Sequence, residues 1–422
     1  MAERDAPVMT SDVPLDPWSH LRVWLFCGGV LLVLRGLSRD PVWVERGYVE
    51  GWGTTVASGL AWWTSGVGFS VGEVVVGLLV VAEILSLLTA FAEVGAGRRR
   101  ASNAVLAGLA HLVDLALFLG MIFYLVWGIS YARPPALQRL GWEGLVVEGE
   151  VTPEITRELH VLTELAQSQA HEAYRALHGS DDAGVVTTPR DGLDLNAAVD
   201  RGYARAGAAL GLSSAFSDPR GPYKVPFGSE LMSWAGIGGV YIPFTGEATV
   251  NGGPPRWSLV MTVAHEKAHQ RMVASEDEAS FYGFLACVHS EEPVLRYAAW
   301  QFAWRQLRRA LASVDPVAVA ALDARELPGL LRDRQAVADY WTPYEGWLEQ
   351  LHGWMNDAYL KANRVEGGVL AYGRAGRLVA AYLQSAQGRS RHAEERARAV
   401  GAVEADLRAR EAREQDPARE AP

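Results

Sequence analysis

Residues 261–270 read MTVAHEKAHQ, so His265 and His269 lie four apart and Glu266 follows the first of them. On a helix this spacing stacks both imidazoles on one face about 6 Å apart, able to chelate one tetrahedral zinc ion. Glu266 then points at the metal's water. Zinc lowers the pKa of that water, Glu266 takes its proton, and the hydroxide attacks a carbonyl polarised by the metal. Chance alone produces such a string in on the order of a few per cent of chains this long. The surroundings therefore carry weight. Apolar Leu259, Val260, Met261, Val263 and Ala264 bury the approach to the helix, and the acidic run Glu276, Asp277, Glu278 follows closely.

A catalytic zinc takes three protein ligands and keeps one position open. Glu276, seven residues past His269, leaves room for a reversing turn that swings a second helix back towards the metal. Ser275 and Glu278 have capping-box spacing, which occupies Glu278 at the helix start and favours Glu276 as third ligand, with Glu278 the substitute. The plain reading of the same acids is a solvated first turn stabilised by the helix dipole.

The elements that must hold this group belong to two different kinds of chain. Of 422 residues, 49% are hydrophobic and 21% charged, and the net charge is −10 without a basic stripe interleaved with aromatics, so nucleic acid is excluded as a partner. Cys27 and Cys287 are too few and too far apart for a disulfide scaffold. The apolar runs crowd into the first 130 residues. Residues 71–92 and 103–129 are long enough to cross about 30 Å of hydrocarbon, and 21–38 forms a shorter first span flanked by Arg22 and Arg35. The loop between the first two spans, with Trp52, Trp62 and Trp63, suits the outer interface. Arg98, Arg99 and Arg100 put the loop between the second and third spans in the cytoplasm, so the rest of the chain lies outside it. Glu83, His111 and Asp114 fall within spans, where Glu83 can meet His111 or Asp114 as a neutralised structural pair or a proton relay.

Beyond the membrane region (21–130), after an N-terminal segment (1–20), the chain reads as a soluble domain over 131–385 and a charged flexible tail over 386–422. Helical patterns cover 152–178 and 195–211, Gly- and Pro-punctuated β-prone pieces cover 217–256, and helices resume from Trp257. The fold class is mainly α: three membrane helices, then a mostly helical domain with a small β or loop segment before the HExxH helix.

The strings GIGGVYIPFTGEATVN (236–251), HEKAHQ (265–270) and SEDEASFYGFLAC (275–287) together resemble a bacterial membrane-protein family catalogued as a domain of unknown function, whose members look like zinc peptidases. The later NDAYLKANRVEGGVLAYG (356–373) extends the resemblance over most of 20–385. It implies a zincin-like (α+β) domain of gluzincin style, in which the first Glu of E-x-x-A-N binds zinc and the residue four on steadies a histidine; this points to Glu276. Two departures stand out. Ser280 replaces the usual Asn or Asp, and Met272 replaces a Gly three residues past the second histidine, where positive φ is costly for a side chain. Glu247 in PFTGEA is a cleft or substrate-binding candidate as much as a structural one. Asn356, Tyr359, Lys361 and Tyr372 are candidates to stabilise an oxyanion, and Tyr359 and Tyr372 are the catalytic choices beside Glu266.

These readings lead to a membrane-anchored zinc metalloendopeptidase with one Zn2+, in a bacterial plasma membrane, acting on peptide or protein substrates of the cell envelope from the extracytoplasmic face. Its rivals are a membrane sensor or scaffold with a structural zinc site, and a transporter component built on Glu83, His111 and Asp114.

Overall fold

The apolar runs become long helices in the computed structural model, which describes residues 17–145, 152–183, 193–350, 353 and 373–415. Helix α1 (Pro17–Leu37) is followed by a π-helical stretch, Trp43–Gly53, and by α2 (Thr54–Ser65); α3 (Val71–Gly95) and α4 (Ala101–Val126) follow. Helices α1, α3 and α4 are each long and apolar enough to cross a membrane, and the rest of the chain leaves their flanks almost bare. Glu83 meets His111 at 3.0 Å as expected. Asp114 instead lies 2.6 Å from His20 Nδ1 and accepts 2.7 Å from Trp24 Nε1, because α1 is the helix packed along that face of α4.

Two expectations about this region need correction. The segment between the first two spans is helical, and Val44, Tyr48, Val49 and Ala57 are buried against Trp127, Tyr241 and Met272, although Trp52, Trp62 and Trp63 do stay exposed. The third membrane helix ends at Val126 rather than 129. A 3-10 turn, Gly128–Ala132, follows, and its Gly128 lies where a Cβ would meet the Tyr124 ring at 2.8 Å.

The remainder is mainly helical, with α5 (Pro153–His178), α6 (Leu195–Leu210), α7 (Arg256–His269), α8 (Glu276–Val288), α9 (Pro293–Ala312), α10 (Pro316–Asp323), α11 (Pro328–Trp341), α12 (Arg374–Gln384) and α13 (Ala393–Gln415). Local chemistry sets the ends of α5: the Thr152 side chain accepts from the Ile155 N–H, Pro153 occupies the first turn, and Gly179 closes the helix at φ +66°. Among the described residues there are two strands, β1 (Gly239–Ile242) and β2 (Glu247–Val250). They pair antiparallel with Gly239 opposite Val250 and Ile242 opposite Glu247. One apolar core runs from Ala136 to Val403, with α9 against α5, and α8 set between α7, α6 and α9.

The expected flexible tail is therefore wrong for residues 386–415. Ala399 and Val403, one turn apart on α13, are buried on α5, while Arg396 grips Glu158 at 2.5 Å and Arg410 lies 3.0 Å from Asp315. Ala399, Val400, Val403 and Leu407 make a stripe too narrow to stand out among arginines and glutamates, and the flanking charges add specific partners.

Candidate metal centre

Helix α7 is locked before it presents any chemistry. Val260, Val263, Ala264 and Ala268 are buried, and Tyr203 of α6 donates its hydroxyl to the Ala264 carbonyl at 2.6 Å. At the far end Arg271 donates to Asp200 at 2.7 Å and to the carbonyls of Phe216 and Asp218, and its guanidinium stacks 3.9 Å over the Tyr203 ring. Gln270 donates to the Gly246 carbonyl at 3.0 Å, tying the helix end to the β1–β2 turn. The chain then reverses through Met272, whose φ of 63° is the one positive value of a non-glycine residue among those described. Helix α8 returns across α7 at Gly283, where a Cβ would sit 3.1 Å from the backbone nitrogen of His265. That close crossing brings Glu276 over the histidines.

Nε2 of His265 lies 3.0 Å from Glu276 Oε2 and 3.0 Å from Nε2 of His269, and His269 Nε2 is 3.6 Å from the same carboxylate oxygen. Donor atoms about 2.0–2.1 Å from a tetrahedral zinc are separated by about 3.3 Å, so this spacing suits one ion. The far nitrogens are occupied as well. His269 Nδ1 is 2.6 Å from the Val273 carbonyl, which can only accept, so in the neutral imidazole the proton sits there and the lone pair is left on Nε2 for a metal. His265 Nδ1 is 3.1 Å from Ser280 Oγ. Serine thus reaches the histidine from the position where the resembling family has Asn or Asp.

Burial alone would lower the His269 pKa, but the hydrogen bond and charge of Glu276 raise it to about 9. Burial would likewise raise Glu276, and the two imidazoles hold it well below the usual carboxylate range. Glu266 lies on the same helix with its side chain buried, and burial raises its carboxyl above the ordinary value.

The three candidate ligands and Glu266 open on a cleft of 420 Å³. One wall is β1 with the glycines before it: a Cβ on Gly239 would sit 2.6 Å from Glu266 Oε1, so glycine lets the carboxylate lie flat against the strand. Asn251 donates to the Gly238 carbonyl at 2.8 Å; by antiparallel alternation Gly239 and Tyr241 then turn their backbone N–H and C=O away from β2. The opposite wall is aromatic and comes from the end of α4 and the turn after it, Phe123, Trp127 and Tyr131. The Trp127 ring stands edge-on to His269 at 5.7 Å and tilted to Tyr241 at 5.6 Å. No periodicity or spacing marked these wall residues. The Gly238–Gly239 pair before a β-prone run was the one available cue.

Of the other candidates, Glu278 is not in a capping box with Ser275: it accepts from the Ala136 N–H at 2.7 Å and from Arg139 at 2.6 Å, so it anchors the segment that leads from the third span into the helical body. Glu247 does not line the cleft. It is buried, accepts from Lys224 Nζ at 2.5 Å and Thr245 at 2.9 Å, and caps the start of α3 through the N–H groups of Val71 (3.0 Å) and Gly72 (2.6 Å). Burial would raise its pKa, and these partners hold it low instead. Asn356, Tyr359, Lys361 and Tyr372 lie outside the described residues.

A family model described as "Protein of unknown function (DUF3810)" matches residues 48–380, and the chain belongs to that family. No curated protein and no solved structure matches it.

Proposed function

We propose that this member of the family is a membrane-anchored zinc-dependent peptidase acting outside the cytoplasm. The observation that carries the reading is the convergence of His265 Nε2, His269 Nε2 and Glu276 Oε2 at a tetrahedral spacing beside a buried glutamate in an open cleft. Three ligands facing a cleft suit catalysis, whereas a structural zinc site is closed by a fourth. Two imidazoles and a carboxylate also suit zinc better than magnesium or calcium. A zinc ion held there supplies a Lewis acid for the scissile carbonyl and for the attacking water.

The protein's own groups do the remaining work. Glu266 accepts a proton from the attacking water at its carboxylate and returns it to the leaving amine; a carboxyl raised by burial is a better base than an exposed one. Among the described residues nothing is hydrogen-bonded to the outer backbone edge of β1 at Gly239 and Tyr241, and that edge can pair with an extended peptide and orient it across Glu266. Tyr131 and Tyr241 are the described tyrosines that line the cleft, and a tyrosine hydroxyl is a fit donor to the developing oxyanion. An extracytoplasmic location follows from Arg98–Arg100, which join α3 to α4 at the end of the spans opposite the cleft.

Glu266→Gln separates a hydrolase from a zinc-bearing sensor or scaffold. The expected result is about one zinc per chain by elemental analysis in both wild type and variant, with peptide cleavage lowered about 100- to 10,000-fold in the variant. Wild-type protein without zinc, or a variant that keeps full cleavage, would overturn the reading.

A further inference from the structure

We propose that the cleft opens at the bilayer surface and that its substrate is an extended polypeptide stretch lying within a few residues of a membrane anchor. This rests on the peptidase reading and adds the class of substrate.

The first observation is the aromatic wall of the cleft. Phe123 belongs to the last turn of membrane helix α4, yet it lines the same cleft as His265, Glu266, His269 and Glu276. Trp127, the next residue after that helix, touches His269 directly, by its ring at 5.7 Å and by its Nε1 to the His269 carbonyl at 3.5 Å. The candidate metal centre is one aromatic side chain away from the end of a span. A helix of 26 residues is about 39 Å long, more than the roughly 30 Å of hydrocarbon, so its last turn stands among the headgroups.

The second observation is independent and comes from the start of α3. Glu73, in the first turn of that span, accepts from the Phe227 N–H at 2.8 Å and the Gly228 N–H at 2.6 Å, and Gly72 packs on Ile242 at the end of β1. The segment around Phe227 and the hairpin are thereby pinned at the level where the span begins. At that level the surface carries large apolar side chains: Phe227 is 83% exposed, Leu231 67%, Trp62 77% and Trp63 68%. Val240 on β1 and Phe244 in its turn are exposed too, so the same apolar rim reaches the cleft wall. In water such a rim is a liability. At a headgroup layer it is what holds a protein at fixed depth.

A peptide paired with the outer edge of β1 advances about 3.3 Å per residue. Because Phe123 of the span itself lines the cleft, only a few residues separate a peptide on that edge from the headgroups. A chain tethered that closely is delivered in register, while one tethered far away gains only surface concentration.

Two experiments test this on the full-length, zinc-loaded protein in phosphatidylcholine–phosphatidylglycerol vesicles. In the first, a fluorogenic peptide mixture of randomised sequence carries a palmitoyl anchor at either end, through a spacer of about four or about twenty residues. Cleavage should be at least about tenfold faster with the short spacer at one of the two ends. Equal rates for both spacers overturn the proposal and leave the peptidase reading standing. No cleavage of any peptide, soluble ones included, by zinc-bearing protein overturns both.

The second readout needs no activity. Cys27 and Cys287 are buried, so a probe placed on Phe227→Cys or Phe244→Cys reports on that site, with Arg398→Cys on α13 as the comparison. Quenching by headgroup-proximal doxyl lipid should be strong at the first two positions and weak at the third. Equally weak quenching at all three overturns the bilayer placement.

Discussion

An imidazole that faces a metal through Nε2 leaves Nδ1 to be occupied by something else, and at this centre that something differs between the two histidines. Val273 offers a backbone carbonyl to His269, which no substitution there removes, but His265 depends on the side chain of Ser280. Ser280→Ala should therefore lower zinc affinity about 10- to 100-fold, measured by competition with a chromogenic chelator, and Ser280→Asn should restore it. An affinity unmoved by Ser280→Ala would mean that the 3.1 Å contact does not orient the ring. Met272 raises the opposite question, because its backbone is strained and its side chain is well placed. A non-glycine residue in the left-handed region costs about 1–3 kcal/mol. Its side chain is fully buried with Val44, Tyr48, Trp127 and Ala274, and removing a buried methionine costs about 2–5 kcal/mol. Glycine also loses more chain entropy on folding. The packing wins, so Met272→Gly should destabilise by about 1–3 kcal/mol. Thermal unfolding in detergent would reveal it, and a more stable variant would show that strain dominates.

At the scale of elements, the hairpin links the candidate site to the membrane. Glu247 sits on β2, yet its carboxylate caps α3 and neutralises Lys224, which also donates to the Thr64 carbonyl on α2 at 2.8 Å. Glu247→Gln keeps the shape and removes the charge, leaving the Lys224 ammonium buried without its counter-ion. Breaking a buried pair in this way costs about 3–5 kcal/mol. The expected outcome is a lower unfolding temperature with protease cuts near Val67–Ser70, where α2 leads into α3; wild-type stability would mean that Lys224 finds water. Nothing in PFTGEA announces this role, since beyond the neighbouring Thr245 the partners of Glu247 lie 23 and about 175 residues away in sequence. Elements set by local pattern are legible in the sequence. The spans follow from unbroken hydropathy, α5 from its Thr-Pro start and leucine spacing, and α7 from apolar residues ahead of the HEKAH string. Illegible were the features made by distant contact: the aromatic wall of Phe123, Trp127 and Tyr131, the docking of α13 through Ala399 and Val403, and the link from Glu278 to Arg139. The approach of Glu276 to the histidines was visible as a spacing. That Met272 itself could serve as the left-handed residue of the turn was not.

For the whole molecule, the order of the spans sets where the cleft lies relative to the arginine loop. Helix α3 starts at the hairpin and runs away from it, α4 returns to Trp127, and the loop between them carries Arg98, Arg99 and Arg100. The arginines and the candidate metal centre are thus held at opposite ends of the same two helices. Short basic loops stay in the cytoplasm, so a chain that obeys this preference must deliver the helical body to the other side. The long hydrophilic part, from Arg133 onward, has no comparable influence on orientation, because large domains translocate largely regardless of charge. The three arginines should therefore dominate. In right-side-out vesicles, added protease should digest exposed sites on α13 and leave the Arg98–Arg100 loop intact, with the pattern reversed in inside-out vesicles. Replacing all three arginines by alanine should yield a mixed population that shows both patterns, without altering zinc content, since none of them touches the cleft. If the wild type instead lost the arginine loop from the outside, the helical body would be cytoplasmic. The same geometry would then act on proteins at the inner surface of the bilayer.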